Sequence, residues 1–233
     1  MSENPAVSTL KKGYGEYTEG DSKVTYLLGI IVAAVFILEV AFTAIRSLDS
    51  IQILATGMFG VHPAIAWPLS PVLHRGFLHF GANLIGLLTV GVPIEKHWTR
   101  RRYSLFLVLT GYLTIAAGTG FMLIFSDSPV AFYGTSGVVY ALAGYSLIHL
   151  FQSHIQFNLT EIVAAFIGFV ALVSVVVDPF TGPYFEPLWI NAGHASGLLI
   201  GAGAGWFGLG GKCPKNQFRG LLEKSEDRDC REE

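Results

Sequence analysis

Apolar segments long enough to cross a lipid bilayer constrain this chain more than any other feature of its sequence. A helix needs about 20 mostly apolar residues to span the hydrocarbon layer. Charged residues make up 14% of the chain, well below the roughly 25% of soluble domains. The uncharged run at 128–160 is too long for one span, and the polar patch Gln152-Ser153-His154 divides it. The sequence therefore predicts an all-α membrane protein, a six-transmembrane-helix bundle with spans at 24–45, 76–94, 103–126, 128–151, 158–177 and 188–211.

One membrane domain, residues 23–211, is predicted to lie between two polar tails. Residues 1–22 are rich in Ser, Glu, Lys and Gly and are expected to be disordered, and residues 212–233 form a second polar tail. Cys213 and Cys230 both lie in the second tail, which argues against a disulfide framework and against a catalytic thiol. The net charge of -2 gives no indication of nucleic-acid binding.

Basic residues are distributed unevenly over the predicted loops. Of the 15 lysines and arginines, three lie in the N-terminal tail, four between the second and third spans, and six in the C-terminal tail, which leaves only Arg46 and Arg75 on the other side. Cytoplasmic loops carry an excess of Lys and Arg. We therefore expect a multi-pass protein of the cell membrane with both termini in the cytoplasm. In this topology His79, Ser136 and His194 fall at one depth, in the outer third of the membrane.

Ser136 begins the fourth span between two glycines, in the sequence Gly134-Thr135-Ser136-Gly137. Many serines in membrane helices only hydrogen-bond to a neighbouring helix, and that interpretation stays open here. Gly134 permits backbone conformations closed to other residues, and Gly137 lets another chain approach. In the first turn of a helix, unpaired N–H groups and the dipole would stabilise a developing oxyanion. The G-x-S-x-G elbow of soluble hydrolases is absent, because Val138 occupies its last glycine position.

His194 lies in the sequence NAGHASGLLIGAGAG, where small residues recur along one helix face. Gly197, Gly201 and Gly205 share a face with His194, and a comparable face of the fourth span carries Gly137, Ala141 and Gly144. Small faces let helices pack closely. If these two faces meet, His194 comes within hydrogen-bonding reach of Ser136 and can act as its base. The alternative is that the glycines only pack helices and His194 is a structural hydrogen-bonding residue.

His79 and Asn83 are four residues apart in the second span and therefore share a face. Two donors aimed at one point could hold an oxyanion. A metal site built from His79 and His194 lacks a third ligand at that depth, so no metal is expected. His97, His149 and His154 fall on the cytoplasmic side, away from the proposed site.

Three short motifs occur in order on the second, fourth and sixth spans: His79-x-x-x-Asn83, Gly134-x-Ser136-Gly137 and His194-x-x-Gly197. Together they resemble the rhomboid family of intramembrane serine proteases, in its six-helix form. The stretches GTSGVVYALAGY and VGVPIE, at 134–145 and 90–95, are also similar to the family, and the resemblance covers roughly residues 24–210. One departure is in the first outer loop, where family members often carry Trp-Arg and this chain has Trp67-Pro68.

The resemblance implies a serine endopeptidase with a Ser–His dyad, Ser136 as nucleophile and His194 as general base. Asn83, His79 and the Ser136 backbone N–H would form the oxyanion hole, and Tyr140 would pack against the His194 ring. His74 and Glu95 match positions that look structural in the family. The implied substrates are membrane proteins with helix-destabilising transmembrane segments, cut near the outer interface. The fifth helix and the loop at 178–187 would be the lateral gate and the cap, and no cofactor is implied.

Two other classes of protein are alternatives to this hypothesis. An inactive rhomboid-like protein that binds membrane helices would usually lack a catalytic residue, whereas Ser136 and His194 are both present. A small transporter using Glu39 and the histidines would predict inverted repeats, and the sequence shows no convincing internal repeat. Glu39 is instead interpreted as packed inside the bundle and hydrogen-bonded.

Overall fold

The computed structural model describes residues 22–45, 68–74, 76–125, 133–152, 159–181 and 188–210. Six α-helices account for most of these ranges, and a short 3-10 turn, Ser70–Val72, precedes the second. The helices are α1 (Lys23–Ile45), α2 (Gly76–Glu95), α3 (Arg100–Phe125), α4 (Ser136–Gln152), α5 (Leu159–Thr181) and α6 (Leu188–Trp206). The predicted all-α bundle of six helices is therefore confirmed.

Helix α5 continues to Thr181, four residues into the loop predicted at 178–187, and the largest differences from the predicted spans, at the start of α4 and the end of α6, have a backbone cause. Helix α4 begins at Ser136, because Gly134 has a φ of 119°, outside the helical region. Helix α6 ends at Trp206, where Gly208 has a φ of 63°. The N–H groups of Gly208 and Leu209 donate to the carbonyl oxygens of Gly205 and Ala204 at 3.1 and 3.0 Å. This is a Schellman end, which satisfies two carbonyl groups that the finished helix would otherwise leave unpaired.

Four of the helices are long and apolar enough to cross a membrane within the described ranges: Lys23–Ala41, Gly76–Glu95, Arg100–Phe125 and Leu159–Val177. Large apolar side chains on these helices point outward, among them Ile37, Leu78, Leu105 and Phe166, each more than half exposed. In water such a surface would be costly, and in a bilayer it is solvated by lipid chains. Helix α4 has only 17 residues and is the central helix, with its side chains from Ser136 to Leu150 buried or half-buried.

Helices α4 and α6 pack against each other through the two small-residue faces. A Cβ atom added to Gly201 would overlap the backbone oxygen of Ala141, and one added to Gly144 would overlap that of Leu198. A Cβ atom on Gly197 would likewise meet the backbone oxygen of Gly137. The two faces therefore meet, which is the condition under which His194 can reach Ser136, and the beginning of α4 lies beside the first half of α6.

The two ends of the bundle can be distinguished by chain direction. Following the topology predicted from the charge distribution, we call the end where α2, α4 and α6 begin the outer end, and the opposite end the inner end. At the inner end Glu95 is buried and its carboxylate accepts hydrogen bonds from the backbone N–H groups of Val24 and Thr25, at 2.9 and 2.8 Å, and from the Thr25 hydroxyl at 2.7 Å. A carboxylate at a helix N-terminus is favourable because the unpaired N–H groups and the dipole are positive there. Glu95 thus fastens the start of α1 to the end of α2.

Candidate active site

Ser136 is held at the outer end of α4 by the segment that precedes α2. The N–H of Gly134 donates to the carbonyl oxygen of Ser70 at 2.9 Å, and the Thr135 hydroxyl donates to that of Pro71 at 2.9 Å. A Cβ atom on Gly134 would lie 2.9 Å from Cε1 of His79, so glycine is required there by space as well as by its positive φ. The turn that presents Ser136 is therefore fixed on both sides.

His74 and Glu39 support the turn that precedes Ser136. Both carboxylate oxygens of Glu39 accept from the backbone N–H of His74, each at 3.1 Å, and Glu39 is buried. The interpretation of Glu39 as a packed, hydrogen-bonded residue is confirmed. The N–H of Thr135 points at Nε2 of His74 at 3.5 Å, and Nδ1 of His74 lies 3.1 Å from the carbonyl oxygen of Val72. This pattern requires neutral His74 with its proton on Nδ1. Burial, and next the His79 ring, lower the pKa of His74 to about 4, so the ring is neutral near pH 7.

Ser136 and His194 meet where α4 and α6 pack together. Nε2 of His194 lies 3.1 Å from Oγ of Ser136, which is hydrogen-bonding distance. The rings of Tyr140 and His194 stack with centroids 4.2 Å apart and planes within 3°. The Tyr140 hydroxyl in turn lies 2.7 Å from Oγ of Ser174 on α5. Within the described residues no carboxylate forms a hydrogen bond or ion pair with His194, so a tyrosine ring sets the imidazole plane.

Asn83 and Ser136 belong to different helices, and the packing of α2 against α4 relates their positions. Helices α2 and α4 both begin at the outer end, and Gly86 packs directly against the Val139 side chain. One turn nearer the outer end, the same two faces carry Asn83 and Ser136. Asn83 is buried, and its Nδ2 has no hydrogen-bond partner in the described structure. A buried amide donor without a partner costs free energy, and such groups are concentrated at functional sites.

His79 shares the face of α2 that carries Asn83. Its ring is half-buried, with its centroid 5.1 Å from that of His74 and 6.3 Å from that of Tyr133. The structure thus gathers all eight residues singled out for the site at the outer end of α2, α4 and α6: Ser136, His194, His79, Asn83, Tyr140, Gly134, Gly137 and Gly197.

Asn191 is a candidate that the sequence analysis did not identify. It is buried on α6, and neither Nδ2 nor Oδ1 has a hydrogen-bond partner among the described residues. Asn191 precedes His194 by three residues and therefore lies one turn away on the same face. The spacing Asn-x-x-His in NAGH was the available signal. Two buried amides without partners among the described residues, Asn83 and Asn191, therefore lie one turn from His79 and from His194 on their own helices.

Comparisons of the sequence with known proteins identify its family. A rhomboid domain matches residues 63–211, which is more than half of the chain. A curated relative, the rhomboid protease GlpG of Haemophilus influenzae, is 34% identical over 131 residues. That alignment covers 56% of this chain and 62% of the relative, so the chain spans somewhat less than two thirds of its length. The chain belongs to the rhomboid family. Its apolar helices make it an integral membrane protein.

Several predicted features lie partly or wholly outside the described residues. These are both polar tails, Trp67 of the first outer loop, and residues 182–187 of the predicted cap. Beside Trp67, the carbonyl oxygen of Pro68 accepts a hydrogen bond from the Tyr112 hydroxyl at 2.9 Å. A contact with α3 is therefore present where the sequence departs from the Trp-Arg pair.

Proposed function

We propose that this protein is a serine endopeptidase that cuts transmembrane segments of membrane proteins near the outer membrane interface by a Ser136–His194 dyad. The observation that carries the proposal is the 3.1 Å contact between Nε2 of His194 and Oγ of Ser136 at the beginning of a buried helix. A hydroxyl within hydrogen-bonding reach of an imidazole is the geometry of an activated nucleophile. Membership of the rhomboid family and similarity to a rhomboid protease support the same conclusion.

His194 acts first as base and then as acid. In the working tautomer Nδ1 carries the proton and Nε2 accepts the Ser136 proton as Oγ attacks the substrate carbonyl carbon. The same nitrogen then returns the proton to the departing amine, and a second cycle with water releases the acyl group. In place of a third, acidic residue, the stacked Tyr140 ring restrains the imidazole in the required orientation.

The oxyanion of the tetrahedral intermediate is stabilised by Asn83, His79 and the Ser136 backbone N–H. The Nδ2 donor of Asn83 is buried and has no hydrogen-bond partner among the described residues, which leaves it available to an oxyanion. Because this donor is already in place and dry, little reorganisation is required when charge develops. The N-terminal dipole of α4 favours negative charge at the same position.

The substrates are membrane proteins whose transmembrane segments contain helix-destabilising residues. An intact helix buries its carbonyl groups in internal hydrogen bonds, so it must unwind before Oγ can attack. Helix α5 is the least enclosed of the four long apolar helices, and the hydroxyl of its Ser174 contacts Tyr140 of the site. We infer that a substrate enters from the lipid past α5. The cell membrane, with both termini in the cytoplasm, is the proposed location, and no cofactor takes part.

Proteolysis in liposomes tests the dyad. Wild type and Ser136→Ala are given a single-pass substrate with small and helix-breaking residues near its outer end. We expect the wild type to cut and Ser136→Ala to be inactive to the limit of detection. Ser146→Ala is the matched control, because Ser146 is also buried in α4 but bonds only to carbonyl oxygens of Ala143 and Ala164 in the structure. It should retain activity.

Three results would contradict the dyad or redirect the proposal. Equal cleavage by Ser136→Ala would mean a different nucleophile or a contaminant. Cleavage that survives His194→Ala would remove the general base. If the wild type retains the substrate without cutting, and a second substrate behaves alike, the protein is an inactive rhomboid-like binder of membrane helices.

A further inference from the structure

A second cluster of polar side chains lies at the inner end of the bundle, whereas Ser136 lies at the outer end. His97 follows the end of α2, His149 is in the last turn of α4, and Glu161 is in the first turn of α5. One ligand atom from each residue lies within 4.8 Å of the other two. Nε2 of His97 is 3.7 Å from a carboxylate oxygen of Glu161, and the two imidazole centroids are 4.3 Å apart.

The three side chains line one small pocket together with Pro93, Ser146 and Ala164. All three are half-buried, so the pocket is reached by water but largely surrounded by protein. The cluster therefore offers two imidazole nitrogens and one carboxylate oxygen that converge on a single small space.

We propose that His97, His149 and Glu161 bind Zn²⁺. Two histidines and one glutamate are a recognised zinc ligand set, with water in the fourth position. At zinc–ligand distances of about 2.0–2.2 Å, tetrahedral ligand atoms lie about 3.4 Å from one another. The present separations, up to 4.8 Å, therefore close by side-chain rotation, without movement of the helices.

The bound ion connects three helices at their inner ends. About two turns from Glu161, α5 packs tightly against α4, because a Cβ atom on Gly168 would lie 2.6 Å from the backbone oxygen of Ala143. The ion bonds to Glu161 of α5, to His149 of α4 and to His97, which follows α2. The ion holds the inner end of α5 in place. Nearer the outer end of α5, the Ser174 hydroxyl contacts Tyr140 of the active site. Zinc binding itself does not depend on the proposed protease activity.

Zinc binding to the full-length protein in detergent, without a histidine tag, tests the proposal. After dialysis against ZnCl₂, metal analysis should find one zinc per chain, and zinc should raise the melting temperature. His97→Ala, His149→Ala and Glu161→Gln should each weaken binding more than about 100-fold, since loss of an outer-shell partner alone costs 10–100-fold. His149→Cys should restore binding, because a thiolate is also a zinc ligand. Melting curves without metal establish that each variant is folded.

The control variants identify the other places where zinc could bind. Ser136→Ala should bind zinc like the wild type. The test of zinc binding therefore stays valid even if the protein proves not to be a protease. Binding that disappears in His79→Ala or His194→Ala would locate the ion at the outer histidines. Binding that disappears when Cys213 and Cys230 are both serine would locate it in the tail. Either outcome, or no stoichiometric zinc in the wild type, overturns the assignment.

Discussion

At the scale of single residues, the site depends on how one imidazole is oriented. His194 has Ser136 on one edge and the Tyr140 ring on its face. Stacking fixes the plane of the imidazole ring without a carboxylate beside it, and an unpaired carboxylate in the membrane would be costly. The Tyr140 ring is fixed in turn by its hydroxyl contact with Ser174. The Tyr140 ring therefore orients His194, and the Tyr140 hydroxyl holds that ring in place.

Substitution of Tyr140 separates these tasks. Tyr140→Ala removes the stack and should lower kcat about 100-fold, the scale expected when a catalytic group moves by about 1 Å. Tyr140→Phe keeps the stack and should stay within about tenfold of wild type in kcat. Steady-state cleavage of the single-pass substrate in liposomes measures both. Equal losses in the two variants would show that the Ser174 contact, and not the ring, positions His194.

At the scale of helices, the close approach of α4 and α6 determines where Ser136 and His194 lie. The backbones are so near that Gly201 has no room for a methyl group against Ala141. Neither helix can tilt or slide without changing the distance between base and nucleophile, since protein interiors are close-packed. The same small faces that stabilise the bundle therefore set the catalytic geometry.

Gly201→Ala tests this dependence, with Gly203→Ala as the control on the same helix. A Cβ atom on Gly203 would have no neighbour within 4 Å. Gly201→Ala should lower the free energy of unfolding by about 1–3 kcal/mol, as overpacked cores do, and should reduce cleavage as well. Gly203→Ala should change neither by much. The measurement is denaturation in mixed micelles beside the cleavage assay, and a stable, active Gly201→Ala would refute the tight packing.

Much of the helical architecture followed from the sequence, because its signals are local. Apolar length predicted the spans, and four-residue glycine spacing identified the faces of α4 and α6 that could meet. The partner of Glu39 could not be predicted, since its carboxylate binds a backbone N–H, which no side-chain pattern encodes. The cluster of His97, His149 and Glu161 was also missed. Its members come from three separate segments, and only the packing of α2, α4 and α5 brings them together.

At the scale of the whole molecule, stability should depend on pH through His74. Its pKa of about 4 in the folded protein lies below the ordinary value of about 6.5. Protons therefore bind the unfolded chain preferentially, and the stability due to neutral His74 is lost as the pH falls from about 6.5 toward 4. Unfolding in detergent across this range should show the decrease. In His74→Gln, which keeps an acceptor but does not titrate, the decrease should be smaller. An unchanged pH dependence would exclude His74 as its source.

The buried contact between Glu39 and His74 has a consequence for biosynthesis. The ribosome makes α1 before the rest, so its carboxyl group enters the membrane while His74 has not yet been translated. An acidic side chain deep in a spanning segment costs about 2.5–3.5 kcal/mol during insertion. At that stage only the apolar residues of the same helix, with a mean hydropathy of 2.4 over Lys23–Ala41, offset this free-energy cost. Glu39 gains its partner only when His74, just ahead of α2, has been made, so this contact forms after insertion of the first helix.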